Sequence, residues 1–182
     1  MNYIKVKLSD QDIARVETLA RARDAKKRKF GAGRHGGLTD SSEQSHAYGL
    51  YGEVAVAKHF GIELDTEIYD DHGDFGYDFI IGDLKVDVKT ATHFSAYSYP
   101  WLKVPMEFKR DKEKIEKCDL FIHCYYDSRN QVVYIQGWAT KELVKSKKPE
   151  RIKNNRTGKP GPLNYIVRTS EFKNIQDLPL TQ

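Results

Sequence analysis

Three residues of the chain have the types and the spacing needed for chemistry on a phosphate. Asp87 and Lys89 stand two residues apart, and Asp78 precedes them at the far end of an apolar stretch. In a β-strand alternate side chains project to the same face, so Asp87 and Lys89 would act on the same space. Carboxylate oxygens are ligands that Mg²⁺ prefers, and this cation usually leaves positions for water and substrate phosphate. A divalent-cation site is one interpretation of the pattern, and a solvated face of alternating charges is the other.

The residues between Asp78 and Asp87 predict a β-hairpin. Residues 77–81 and 84–90 are rich in β-branched and aromatic side chains, and the Gly-Asp pair at 82–83 is a two-residue turn signal. With that pair at the centre of the turn, Asp78 lies directly opposite Asp87. Like charges that face each other destabilise a sheet, so we expect a compensating charge.

The compensating charge has two alternative sources. A divalent cation could bind both carboxylates. Alternatively, Lys85 and Lys89 flank Asp87 on the same strand face, and the alternating signs could neutralise each other on a solvent-exposed surface. In either case Phe79 pairs with Val86, and the apolar side of the hairpin is expected to face the core.

Asp78 and the tripeptide Asp87-Val88-Lys89 resemble the active-site signature of the PD-(D/E)XK nuclease superfamily. The chain departs from the usual form of that motif in having Tyr77 in place of proline and Asp rather than Glu at position 87. The resemblance covers roughly residues 42–138. It implies an α/β fold, with a mixed β-sheet flanked by helices and a restriction-endonuclease-like αβββαβ core.

The resemblance also implies an activity and a role for each site residue. The chain would be a metal-dependent DNA endonuclease, a Mg²⁺-dependent deoxyribonuclease that hydrolyses phosphodiester bonds and accepts Mn²⁺ as a substitute. The implied metal ligands are Asp78, Asp87, the backbone carbonyl of Val88, and Glu53. Lys89 would orient the attacking water or stabilise charge on the phosphorus oxygens. Two alternatives remain: a non-catalytic nucleic-acid-binding or assembly protein on the same fold, and a nuclease subunit that needs a partner.

Glu53 also stands out from the residue pattern of its own segment. A helix is predicted from Ser41 or Ser42 to Phe60, with Gly61 after its end. At about 100° per residue, Glu53 falls at the edge of the buried stripe of this helix, where an acid needs a partner. A metal ion or a nearby lysine would satisfy it.

The net charge is only +4, but the basic residues are concentrated in two blocks on either side of an acidic centre. This distribution suits a metal site that approaches a polyanion, so we predict DNA as the partner. Alternatively, the basic residues are solvated surface, or they complement a helix dipole. The predicted DNA contacts are Lys26, Lys27, Arg28, Lys29 and Arg34 in the first block, and Lys147, Lys148, Arg151, Lys153 and Arg156 in the second.

The composition bounds the class of protein. With 39% hydrophobic and 31% charged residues, the 182-residue chain is expected to fold as one compact domain, which could assemble as a homodimer. Within it, residues 1–40 form an N-terminal strand, a basic helix and a glycine-rich linker, and residues 41–182 form the nuclease-like core with a basic C-terminal extension. The two cysteines, the absence of a membrane span and the polar N-terminus predict a cytoplasmic protein.

The remaining segments predict the elements around the hairpin. The glycines of GAGRHG, at 31–36, lack a preceding strand and indicate a linker rather than a nucleotide-binding loop. We also expect a strand at Leu64–Tyr69, a helix at Lys109–Lys117 anchored by Phe108 and Ile115, a second hairpin of Leu120–Tyr126 with Gln131–Trp138, a short helix from Thr140 to Ser146, and an edge strand at Asn164–Arg168.

Overall fold

The computed structural model describes residues 3–29, 42–68, 76–92, 101–153, 158 and 160–179. The linker at 31–36, including Arg34, lies outside these residues, as does Arg156. The helices are α1 (Asp10–Lys29), α2 (Ser42–Phe60), α3 (Lys109–Lys117) and α4 (Lys141–Lys145). The strands are β1 (Ile4–Lys7), β2 (Phe79–Ile81), β3 (Leu84–Thr92), β4 (Trp101–Pro105), β5 (Leu120–Asp127), β6 (Val132–Thr140), β7 (Glu150–Lys153) and β8 (Pro160–Arg168).

The main sheet has five strands in the order β1-β6-β5-β3-β2. Its strands pair antiparallel except for β3 and β5, which are parallel. Parallel neighbours need a crossover connection, and here the crossover contains β4 and α3. The fold is therefore α/β with a mixed sheet and flanking helices, as the sequence predicted.

Helix α2 packs on one face of the main sheet, and α1 packs against α2. Ser9 and Asp12 exchange the hydrogen bonds of a capping box at the start of α1. Helix α2 ends as predicted, since Gly61 follows it with φ +67°. Buried apolar residues of both helices pack with Val86 and Val88 of β3 in one core, to which β1 and its flanking loop also contribute.

The other face of the main sheet packs against a three-stranded sheet in the order β4-β8-β7. A second core forms there from Leu102, Val104, Phe121 and Val167, together with residues of α3 and α4. Among the described residues, β7 pairs with β8 only from Pro160 to Asn164, so residues 165–168 pair with β4 alone and form an edge, as the sequence predicted. Each sheet buries one face of the other, and β4 pairs with β8, the last strand of the described residues.

The second predicted hairpin and the helices after β4 and β6 are confirmed. Strands β5 and β6 pair antiparallel, and the Thr140 side chain accepts the N–H of Leu143 to cap α4. Helix α3 has the predicted bounds. Ile115 anchors it as expected, but Phe108 does not: it is the N-cap residue and its exposed fraction is 54%.

The predicted strand at Leu64–Tyr69 is wrong for the described residues, since 62–68 have no regular secondary structure and Tyr69 lies outside them. Side chains of α1 bind this backbone instead of a neighbouring strand. Arg23 donates to the carbonyls of Asp65 and Glu67, and Lys26 donates to the carbonyl of Ile68. A segment whose carbonyls are satisfied in this way needs no sheet partner.

Two glycines of α2 test how tightly this helix packs on β3. A Cβ on Gly52 would lie 1.9 Å from Oγ1 of Thr90, whereas a Cβ on Gly49 has no neighbour closer than 3.9 Å. We expect Gly52→Ala to lower the free energy of unfolding by about 1–3 kcal/mol because of overpacking. Gly49→Ala should be neutral or stabilising by up to about 1 kcal/mol, because alanine favours the helix.

Urea unfolding of both variants measures the difference. Adding Thr90→Ala to Gly52→Ala should restore part of the lost stability, because it removes the closest clashing atom. Equal effects of the two glycine substitutions would show that α2 does not approach β3 this closely.

Candidate active site

The β2–β3 hairpin has the register that its turn chemistry predicted. Phe79 pairs with Val86, Ile80 with Lys85, and Ile81 with Leu84. Gly82 occupies the turn with φ +61°, a conformation that residues with a side chain rarely adopt. Phe79, Val86 and Val88 all join the core under α2, so the apolar side of the hairpin faces inward as expected.

Asp78 lies just outside the β2–β3 ladder, which begins at Phe79, and so it does not form the predicted pair with Asp87. Its N–H donates to the carbonyl of Val86 at 2.8 Å, and its Oδ2 accepts the N–H of Val88 at 2.6 Å. Paired positions in this hairpin end at Phe79, so the prediction that Asp78 lies directly opposite Asp87 is wrong. Instead, the Asp78 carboxylate caps the edge of β3 where β2 no longer covers it.

Asp87 is fully buried, with an exposed fraction of 0%. Its neighbour in β5 is Phe121, a residue of the second core, so this face of β3 is covered rather than solvated. The alternative of an exposed, self-neutralising face is therefore wrong for Asp87. Lys85 is exposed and its ammonium lies 5.6 Å from the centre of the Tyr77 ring.

Two lysines compensate the charge of Asp87. Nζ of Lys89 lies 2.5 Å from Oδ2, and Nζ of Lys114 lies 3.0 Å from Oδ1. Burial raises the pKa of Asp87, but the two ammonium groups oppose this effect and the net shift is downward. Asp87 is thus a carboxylate held in its charged form inside the protein.

Lys114 was not found by sequence reasoning. It lies on α3, in a helix whose composition is mostly charged, and its Nζ also lies 3.8 Å from Oδ1 of Asp78. The ammonium therefore stands between the two aspartates. No local pattern distinguishes Lys114 from the other lysines of this helix, because its role depends on where the helix packs.

Glu53 belongs to the same group of charges. Its side chain is 15% exposed, and its Oε2 lies 4.0 Å from Nη1 of Arg23 in α1. The expected lysine partner is therefore an arginine, which also lies 3.8 Å from the carboxylate of Asp65. Helix α1 thus supplies a positive charge to the edge of the site.

The pKa values of two acids rise because the acids are buried close together. Burial, followed by the negative charge of Asp78, raises the pKa of Glu53 to about 8, while Arg23 opposes the shift. Burial and the charge of Asp87 raise the pKa of Asp78 to about 6. Two of the three cations at the site contact Asp87 most closely, so positive charge added near Asp78 and Glu53 would stabilise their ionised forms.

The chemistry of these donors fits a divalent cation. Both carboxylate oxygens of Asp87 are buried and face ammonium groups, and the Lys114 ammonium lies between the carboxylates of Asp78 and Asp87. Among the described residues, however, no group of three or more His, Cys, Asp or Glu side chains converges closely enough to hold a metal ion. The ligand set is therefore incomplete with Lys114 in this position.

Most described residues of the two basic blocks bind other parts of the protein. Lys26 donates to Ile68, Lys147 pairs with Glu171, and Arg151 lies 2.6 Å from Glu107. Lys148 and Lys153 are exposed. The side chains of Lys27, Arg28 and Lys29 lie outside the described part of the structure.

Comparisons of the chain with models of protein families, with curated proteins and with solved structures found no match. Among the helices of the described residues, none is both long enough and apolar enough to cross a bilayer. The hypotheses about activity therefore depend on the geometry of the site itself.

The two lysines around Asp87 predict the effect of removing its charge. Asp87→Asn keeps the shape of the side chain but leaves two ammonium groups without their anion. We expect the free energy of unfolding in EDTA to fall by about 3 kcal/mol, as when one partner of a buried ion pair is removed. Asp83→Asn, in the exposed turn of the same hairpin, should change it by less than about 0.5 kcal/mol. Unchanged or increased stability of Asp87→Asn would mean that repulsion from Asp78 outweighs both lysines.

The raised pKa of Glu53 predicts a pH dependence of stability. Between 4.5, its usual value, and about 8, the folded protein retains a proton that the unfolded chain releases, so stability falls as pH rises through this window. Glu53→Gln removes this titration. In EDTA, the free energy of unfolding of Glu53→Gln, measured with urea, should equal that of the parent near pH 4.5 and exceed it above about pH 8.

A matched control for this pH series is Glu43→Gln, an acid in the first turn of the same helix whose partner is the exposed Arg21. Its stability should follow the parent's pH dependence. If Glu53→Gln also ran parallel to the parent from low to high pH, the carboxyl of Glu53 would not be perturbed by the site.

Proposed function

We propose that this protein is a metal-dependent DNA endonuclease with a site of the PD-(D/E)XK type. The observation that supports this best is the buried Asp87 with the Lys89 ammonium 2.5 Å away, beside Asp78 at the uncovered edge of β3. A buried carboxylate and a lysine on the same strand face, with two further acids near them, suit a site that handles phosphate. The proposal includes the restriction-endonuclease-like core, for which α2, the hairpin, α3 and β5 would be the framework.

Four groups of the chain would hold Mg²⁺ or Mn²⁺: the carboxylates of Asp78, Asp87 and Glu53, and the carbonyl of Val88. The Val88 N–H donates to Asp78, and the N–H and C=O of one strand residue lie on the same side, so this carbonyl is on the uncovered edge of β3. A bound cation would supply Lewis-acid polarisation of the scissile phosphate. Asp78 is fixed by its bond to Val88, which limits its motion when it binds a ligand.

Lys89 would act on the reacting phosphate rather than on the metal. An ammonium group has no lone pair to donate, but its positive charge can stabilise the negative charge that develops on the phosphorus oxygens, or orient the attacking water. Its side chain is 27% exposed, so it can reach a substrate at the surface while it pairs with Asp87. The Asp87 carboxylate would thus position the lysine through their ion pair.

The test is incubation of the pure protein with plasmid, single-stranded and branched DNA in Mg²⁺, Mn²⁺ or EDTA. We expect cleavage with either metal and none in EDTA. Lys89→Met should lower the rate by about 100-fold or more, the order expected for one charge-stabilising group, while Mn²⁺ binding is retained. Lys85→Met, which changes an exposed lysine of the same strand, should cleave like the parent.

Two results would contradict the proposal in different ways. If no DNA substrate were cut under any metal condition, the chain would be a non-catalytic binding or assembly protein, or a subunit that needs a partner. If Lys89→Met lost metal binding together with activity, the assignment of Lys89 to the phosphate would be wrong.

A further inference from the structure

Helix α3 presents a row of basic side chains on the face that borders the candidate site. Arg110, Lys114 and Lys117 are spaced i, i+4 and i+7, so they lie on one face of the helix. The direction of this face is fixed by Lys114, whose ammonium contacts Asp87 and lies 3.8 Å from Asp78. We call these three residues the α3 basic row.

The C-terminal end of the row is fixed to the segment that leads into Asp78. A Cβ on Gly76 would lie 2.8 Å from Cδ of Lys117, so the lysine stem packs directly on this glycine. The thiol of Cys118 donates to the carbonyl of Gly76 at 3.1 Å. Lys117 is therefore held next to the acidic site, although its side chain is exposed.

The acids of α3 are engaged elsewhere. Asp111 accepts the N–H of Phe108, Glu113 pairs with Lys109 at 3.6 Å, and Glu116 pairs with Lys145 at 2.6 Å. In contrast, neither Arg110 nor Lys117 has a hydrogen bond or ion pair with another described residue. Both ends of the row therefore carry positive charge that is not neutralised within the described part of the protein.

We propose that the α3 basic row binds the sugar-phosphate backbone of DNA on both sides of the phosphate at the candidate site. Arg110 and Lys117 are seven residues apart, which corresponds to about 10 Å along the helix axis. One DNA strand rises by about 3.4 Å per nucleotide, so the row spans about three phosphates. Lys114 lies at the centre and points to the acids, and the two exposed residues bind the flanking phosphates.

This inference rests on the proposed function for the identity of the polyanion, and it changes the predicted DNA surface. The blocks at the end of α1 and in β7 were expected to bind DNA, but Lys26, Lys147 and Arg151 are held by contacts within the protein. The α3 row combines exposure, positive charge and contact with the site. It is therefore the surface that would hold the substrate in register for the reaction.

The test compares single substitutions on two faces of the same helix. Binding of a labelled DNA duplex is measured by fluorescence anisotropy in EDTA over a series of salt concentrations. Removing one phosphate contact should lower the slope of log affinity against log salt by about one. Arg110→Ala and Lys117→Ala should each do so, and the double variant should lower it by about two, with affinity reduced roughly tenfold.

Lys112→Ala is the matched control, because Lys112 is an exposed lysine of α3 about 200° around the helix from Arg110. It should leave slope and affinity unchanged. The proposal is overturned if Lys112→Ala has the same effect as the row variants, if the row variants bind DNA like the parent, or if the dependence on the row appears with duplex RNA and not with DNA. Thermal melting of Arg110→Ala and Lys112→Ala should match the parent, because both side chains are exposed. Lys117→Met keeps the stem that packs on Gly76 but removes the charge, so it should melt like the parent and bind DNA like Lys117→Ala.

The cleavage assay separates this inference from the proposed function. If the parent cuts DNA while the row variants bind and cut normally, the function stands and the α3 row is not its DNA surface. If the parent never cuts but its binding depends on Arg110 and Lys117, the DNA surface stands and the nuclease proposal fails. When both hold, the row variants should raise KM and leave kcat nearly unchanged, since neither exposed residue contacts the acids.

Discussion

The burial of the Asp87 carboxylate between two ammonium groups is the interaction that organises this structure. A charged side chain inside a protein is costly unless it is paired, and each of its partners comes from a different element. Lys89 lies on the same strand as Asp87. Lys114 lies on α3, within the crossover between β3 and β5, so its contact with Asp87 requires this helix to pack against the site. The position of α3, the exposure of its basic row and the shape of the acidic site are all linked to this one carboxylate.

Around this centre, each acid is in a different electrostatic environment. Asp87 has its pKa lowered, whereas Asp78 and Glu53 have theirs raised. The reason is geometric, because Asp87 contacts two lysines directly, whereas the arginine that pairs with Glu53 lies 4.0 Å from it. Three carboxyl groups of similar intrinsic acidity therefore differ in proton occupancy at neutral pH, which is a common property of functional sites.

The local parts of this arrangement could be predicted from sequence and the long-range parts could not. The hairpin register followed from a Gly-Asp turn and an alternating pattern, both of which are local. Lys114 was missed because its role depends on where a polar helix packs, and periodicity within that helix carries no such information. The strand expected at Leu64 failed for a related reason: Arg23 and Lys26 bind its backbone from a helix distant in sequence. The strand at 164–168 was predicted, but its pairing with β4 in a second sheet is a long-range contact that no local pattern indicates.

The contribution of β8 to the core that buries Asp87 has a consequence for the order in which the chain can fold. During synthesis Asp87 emerges with Lys89, but the core that buries it is completed by Val167 of β8, near the C-terminal end of the described chain. Contacts between residues so distant in the sequence form slowly, because the entropy cost of closing a long loop comes before the free energy gained from the contact. The acidic site would therefore remain hydrated and unassembled during synthesis until β8 has been made, so a chain terminated before β8 would carry the residues of the site without its geometry.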